Sequence, residues 1–107
     1  MTSRLAYHLV NVFTRDGGRL TGNPLCVFEP GPALDAPLMQ ALARQFNLSE
    51  TTFLSHSSRA TMAVRIFTPD FEMPFAGHPT LGSAHIVRRL AAAGGADHVV
   101  LEMPAGL

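Results

Sequence analysis

The chain has 107 residues, 47% of them hydrophobic, with eight basic and eight acidic side chains and no net charge. That length suits one ordinary domain of about 100–150 residues, and the apolar share supplies a core and speaks against wholesale disorder. Every basic residue is an arginine. The lack of lysine excludes a side-chain Schiff base and a Walker-type phosphate loop, and the balanced charge argues against the basic stripe of a nucleic-acid binder.

From the N-terminus, Ala6–Thr14 is rich in β-branched and aromatic residues and reads as a strand. Asp16-Gly17-Gly18 supplies a turn, Gly22-Asn23-Pro24 a second break, and Leu25–Phe28 a short buried strand closed by Pro30-Gly31-Pro32. A helix follows. Asp35 caps it, Pro37 suits its first turn, and Leu38, Met39, Leu42, Ala43 and Phe46 recur at helical spacing. Asn47 is its left-handed stop. Two strands come next, Glu50–Leu54 and Thr61–Thr68. In the second, Met62, Val64 and Ile66 face one way, and Thr61, Ala63, Arg65 and Phe67 the other.

Gly77 and Pro79 bracket the start of a second helix that runs to about Ala93 and ends at Gly94-Gly95, with Arg88 and Arg89 near its C-terminus. Its first turns carry Leu81, Gly82, Ser83, Ala84, Ile86 and Val87, small or apolar nearly all round, the pattern of a helix enclosed by protein. The expectation is therefore an α+β domain in which a sheet wraps around a helix. His98–Met103 reads as a last strand and Pro104-Ala105-Gly106 as a turn. A turn with no returning strand leaves an edge unpaired, so the chain is expected to be one part of a larger unit.

The lone cysteine, Cys26, lies in an apolar run and reads as a small buried hydrophobe. One cysteine makes no internal disulfide. The segment Met1–His8 lacks the apolar core of a secretory signal, and no apolar run approaches the roughly 20 residues needed to span a bilayer. A cytoplasmic protein with no membrane or nucleic-acid partner is expected.

Chemistry concentrates at two places. The amides of a first helical turn lack intrahelical acceptors and sit at the positive end of the dipole. Ala76-Gly77-His78-Pro79-Thr80 is thus either a cradle for a carboxylate, with Gly77 admitting the ligand to the backbone, or a helix start that uses Gly and Pro for geometry alone. His78 either donates to a substrate or caps its own helix. Glu50 opens a strand among Thr51, Thr52 and Phe53. It is either a partly desolvated acid suited to proton transfer or a solvated strand-end carboxylate. No set of His, Cys and Glu has zinc-ligand spacing, so no metal site is expected.

These residues also carry a resemblance. Asn11–Thr14, Gly22–Phe28, Asn47–Phe53, Arg65–Pro69 and Glu72–Gly82, in this order and spacing, resemble the PhzF family of phenazine-biosynthesis isomerases across nearly all 107 residues. The resemblance implies the diaminopimelate-epimerase-like fold: two similar domains, each a mostly antiparallel sheet rolled around a central helix, with the active site between them. Residues 1–107 would then be the N-terminal domain, completed by a C-terminal domain or a homodimer. The resemblance makes Glu50 the general acid/base and Gly77 and His78 the substrate-carboxylate binders, and it places Asn23 in the same cleft. No metal or organic cofactor is implied. Related epimerases carry a cysteine immediately before this glycine; here Ala76 stands there, which disfavours two-thiol racemisation. The rival expectation is a small-anion-binding or interaction module without catalysis.

Overall fold

In the computed structural model, residues 5–12, 22–31, 34–90 and 98–106 are described. Their elements run β1 (Tyr7–Val12), β2 (Asn23–Phe28), α1 (Ala36–Phe46), β3 (Glu50–Ser55), β4 (Met62–Phe67), β5 (Glu72–Met73), α2 (Gly77–Leu90) and β6 (Leu101–Glu102). The strands form one sheet in the order β1-β2-β3-β4-β5, with β6 also paired to β4. β1–β2, β3–β4 and β4–β5 are antiparallel, whereas β2–β3 and β4–β6 are parallel. A parallel step needs a long crossover, and α1 supplies the one between β2 and β3.

Side-chain alternation along these strands feeds two cores. Leu25 and Val27 of β2, Leu54 of β3, and Val64 and Ile66 of β4 meet Ile86 and Val87 of α2 in an aliphatic core. The residues between them face the other way. Cys26, Phe28, Phe53 and Phe67 pack with Ala43 of α1. There Phe28 and Phe53 stack at 4.9 Å, and Phe67 meets Phe53 edge-on at 5.6 Å. On the same face of β4, Arg65 holds Glu72 of β5 through two hydrogen bonds of 2.8 and 2.7 Å.

Most elements fall where the sequence places them, with shifted ends. Pro24 lies within β2, beside Asn11 of β1. Pairing with β3 begins only at Leu25, so the missing proline N–H falls before that ladder. The short strand β5 has no periodic signal; a turn held by the Thr68 hydroxyl, which accepts from the Asp70 and Phe71 amides, leads into it. α2 begins at Gly77, so Pro79 is its third residue. Regular pairing of the last strand starts at Leu101 rather than His98, and the expected turn follows, with Met103 and Gly106 exchanging two hydrogen bonds of 2.9 Å. The expected turn at Asp16–Gly18 and the C-terminal end of α2 lie outside the described residues.

α2 packs against β1, β2, β3 and β4. Gly82 permits the close approach: a Cβ there would sit 2.4 Å from Leu25 Cδ2 and 3.1 Å from Val12 Cγ2. One side of the helix, Pro79, Gly82, Ser83, Ile86 and Val87, is buried. The other is open, with Leu81 54% exposed, so the all-round enclosure expected from its composition is met on the sheet side alone.

Candidate active site

The start of α2 is built around backbone donors. The Ala76 carbonyl accepts from the Thr80 amide at 3.3 Å and from the Thr80 hydroxyl at 2.6 Å, which fixes the first turn. The amides of Gly77 and His78 have no intrahelical acceptor, and Pro79 has no N–H to offer. No acidic side chain lies in this turn. Gly77 has no left-handed backbone, and a Cβ placed on it would meet nothing within 4 Å. Neither conformation nor packing within the described chain requires glycine here. Open space stands over the helix start.

Glu50 reaches this turn from the first position of β3, where it registers with Leu25. Its Oε2 lies 3.3 Å from Nε2 of His78, and the two side chains are only 14% and 11% exposed. The orientation is not that of a hydrogen bond, and both atoms are buried with no other hydrogen-bond partner. Glu50 is therefore a shielded carboxylate rather than a solvated strand end. Nε2 of His78 turns to that carboxylate and makes no hydrogen bond to its own helix. Two buried polar atoms without hydrogen bonds cost about 1–3 kcal/mol each. Such a cost is common where a ligand or a proton is to be received.

Asn23 opens β2 two residues before Leu25, the register partner of Glu50. It stands at the same end of the sheet, is exposed, and makes no hydrogen bond to Glu50 or His78. The structure thus brings Glu50, Gly77 and His78 together and leaves Asn23 nearby. A pair not singled out in the sequence also joins β3 to α2: the Thr52 and Ser83 hydroxyls meet at 2.8 Å in the core. Its only sequence signal was alternation, which sets Thr52 on the same face of β3 as Glu50.

Elsewhere, His8 pairs with Glu29 at 2.6 Å, and His56, His85 and His98 are exposed. Among the described residues no three His, Cys, Asp or Glu side chains gather as a metal ligand set. No described helix is long and apolar enough to cross a membrane.

Comparisons with known proteins identify the family. Residues 10–107 match the PhzC-PhzF profile of phenazine biosynthesis-like proteins. An uncharacterized isomerase of Mesorhizobium japonicum is 52% identical over 102 residues, which is 90% of this chain and 32% of that protein. The trans-2,3-dihydro-3-hydroxyanthranilate isomerase of Pseudomonas chlororaphis is 47% identical over 79 residues, 73% of this chain and 28% of that enzyme. The crystal structure of a putative phenazine biosynthesis PhzC/PhzF protein from Clostridium difficile superposes with a TM-score of 0.83 at 26% identity, covering 96% of this chain and 38% of that one. The chain spans about a third of the length of these relatives. With its mixed sheet packed on a helix and its match over most of its length, the chain belongs to the PhzC-PhzF family of phenazine biosynthesis-like proteins.

Proposed function

We propose that Glu50, Gly77 and His78 form one side of an isomerase site that moves a proton within a small carboxylate-bearing substrate. One observation carries this reading: a shielded carboxylate and imidazole, 3.3 Å apart and without hydrogen bonds, face a helix start whose amides are free and whose glycine leaves room above them. The substrate carboxylate accepts hydrogen bonds from the Gly77 and His78 amides, where the helix dipole favours negative charge. Glu50 takes a proton from a carbon activated by conjugation. The charge that develops is held by these donors, and Glu50 returns the proton to another carbon of the same molecule. Reactant and product have the same formula, and no electrons leave the substrate.

The named relatives suggest the substrate class, a dihydroaromatic acid resembling trans-2,3-dihydro-3-hydroxyanthranilate. Asn23, at the same end of the sheet, lines the approach. A second domain or a second copy of the chain closes the cleft. Phe75 and Leu81 flank the helix start at 55% and 54% exposure, apolar surface that such a partner would cover.

The test is deuterium exchange from solvent into a dihydroaromatic acid, by this chain alone and together with the C-terminal domain of a full-length relative. The complemented protein should exchange and the lone monomer should not. Glu50→Gln should lower the rate by about 10²–10⁴-fold while sulfate still shifts the Gly77 and His78 amide signals. Undiminished exchange in E50Q overturns the assignment of Glu50. Rapid turnover by the lone monomer overturns the need for a partner.

A further inference from the structure

The hydrogen bond between Thr52 and Ser83 is unusual for its place. Both residues have no exposed surface, and their hydroxyl oxygens are 2.8 Å apart. The β-sheet partners of Thr52 are Val27 on one side and Ile66 on the other, both fully buried. Ser83 lies on the buried face of α2 with Ile86 and Val87. Neither hydroxyl reaches water, and the bond between them forms only while α2 keeps its axial position and rotation against β3.

A buried hydroxyl that loses its partner costs more than the bond itself contributes. A pair of this kind therefore acts less as bulk stabilisation than as a register mark between helix and strand. Valine and alanine would fill the same space and tolerate sliding. Gly82, next to Ser83, brings α2 close enough for the bond to form, since any side chain there would strike Leu25.

Both ends of this bond lie near the candidate site. Thr52 is two residues beyond Glu50 on the same face of β3, about 6.6 Å along the strand. Ser83 is five residues beyond His78 on α2, about 7.5 Å along the helix. Any shift of α2 over β3 changes the separation of His78 and Glu50 directly. We propose that Thr52 and Ser83 are positioning residues, whose mutual hydrogen bond sets the distance between the Glu50 carboxylate and the His78 imidazole. The inference deepens the isomerase reading given above and rests on it for its bearing on catalysis.

The test separates position from stability. Thr52→Val combined with Ser83→Ala removes both hydroxyls and leaves no orphan. Thr52→Ser keeps the hydroxyl but loses a buried methyl, and so is the variant expected to lose stability. The readout is the nuclear Overhauser effect between the His78 ring protons and the Glu50 side chain in this chain, measured beside thermal unfolding. It should be retained in T52S and fall several-fold in T52V/S83A. In the complemented enzyme, T52V/S83A should lower kcat by about tenfold or more with KM little changed, and T52S should restore it. An unchanged effect in T52V/S83A, or a loss in T52S as great as in the double variant, overturns the inference. Neither result depends on whether Glu50 is the base, which exchange by E50Q decides separately.

Discussion

The two helices of this chain begin in opposite ways. At α1, Asp35 adopts an extended backbone and its carboxylate accepts from the Leu38 amide at 2.9 Å. Pro37 sits inside that turn without removing the donor Asp35 needs. At α2 the corresponding residue is Ala76, and the third helical residue is Pro79, so the amide a cap would ordinarily take does not exist. The donors that remain, on Gly77 and His78, have no side chain of the helix to bind them. Similar dipoles thus have unequal ends: α1 is sealed by its own carboxylate, and α2 has no acidic side chain in its first turn. In a chain without lysine, the proposed carboxylate site rests on that open turn beside a shielded glutamate.

Two glycines on α2 sharpen the contrast most strongly. Gly82 exists for packing, since its Cβ would meet Leu25 Cδ2 at 2.4 Å and that leucine is fully buried. Gly82→Val should cost about 2–3 kcal/mol through overpacking, read as a lower midpoint in denaturant unfolding. Gly77 has no such neighbour. Gly77→Ala should leave stability unchanged or raise it by up to about 1 kcal/mol, yet weaken sulfate binding about tenfold, because a methyl group worth one or two van der Waals radii of space would stand over the amides. Equal sulfate affinity in G77A and the parent would show that the open space over α2 holds no anion.

Exchanging the two caps is the next test. Asp35→Ala should destabilise the chain by about 1 kcal/mol and leave the sulfate-induced shifts of Gly77 and His78 untouched. Ala76→Asp should do the reverse. A carboxylate at that position accepts from the His78 amide, stabilises the helix by about 0.5–1 kcal/mol, and competes with added sulfate several-fold. Should A76D bind sulfate as the parent does, the helix start is not the anion site.

The features with local causes were legible in the sequence. Asp35 and Asn47 delimit α1 through their own backbone preferences, and Asn47 takes the left-handed conformation expected of it, with φ of 55°. The opposite faces of β4 followed from alternation, with Val64 and Ile66 under α2 and Phe67 under α1. Features set by distant partners were not legible. β5 is two residues long and exists because β4 lies beside it, and β6 pairs only where Leu101 and Glu102 meet Met62 and Ala63. The site divides the same way. Glu50 and the Gly77-His78 pair stood out as residues, through their motifs. Their approach to 3.3 Å depends on how tightly α2 lies on β3, and so on Gly82, Thr52 and Ser83, whose contacts cross the chain.

The smallest expected effect concerns the face that α1 seals. Cys26 lies there among Phe28, Phe53 and Phe67 with no exposed surface, and burial pushes its thiol from 9.0 up to about 12. The folded state therefore favours the neutral thiol, whereas the unfolded chain ionises it from about pH 9.0. This stabilisation is complete below that value and is lost as pH rises toward about 12, because the unfolded state then binds fewer protons than the folded one. Urea unfolding followed across the alkaline range should show a falling midpoint in the parent and a smaller fall in Cys26→Val. In the folded chain the thiolate, the reactive form, is suppressed, so Cys26 should resist a disulfide reagent at neutral pH until denaturant is added. Rapid labelling of the folded chain would mean that the α1 face opens to solvent as readily as the α2 start does. The contrast between a closed side and an open one would then fail at its closed end.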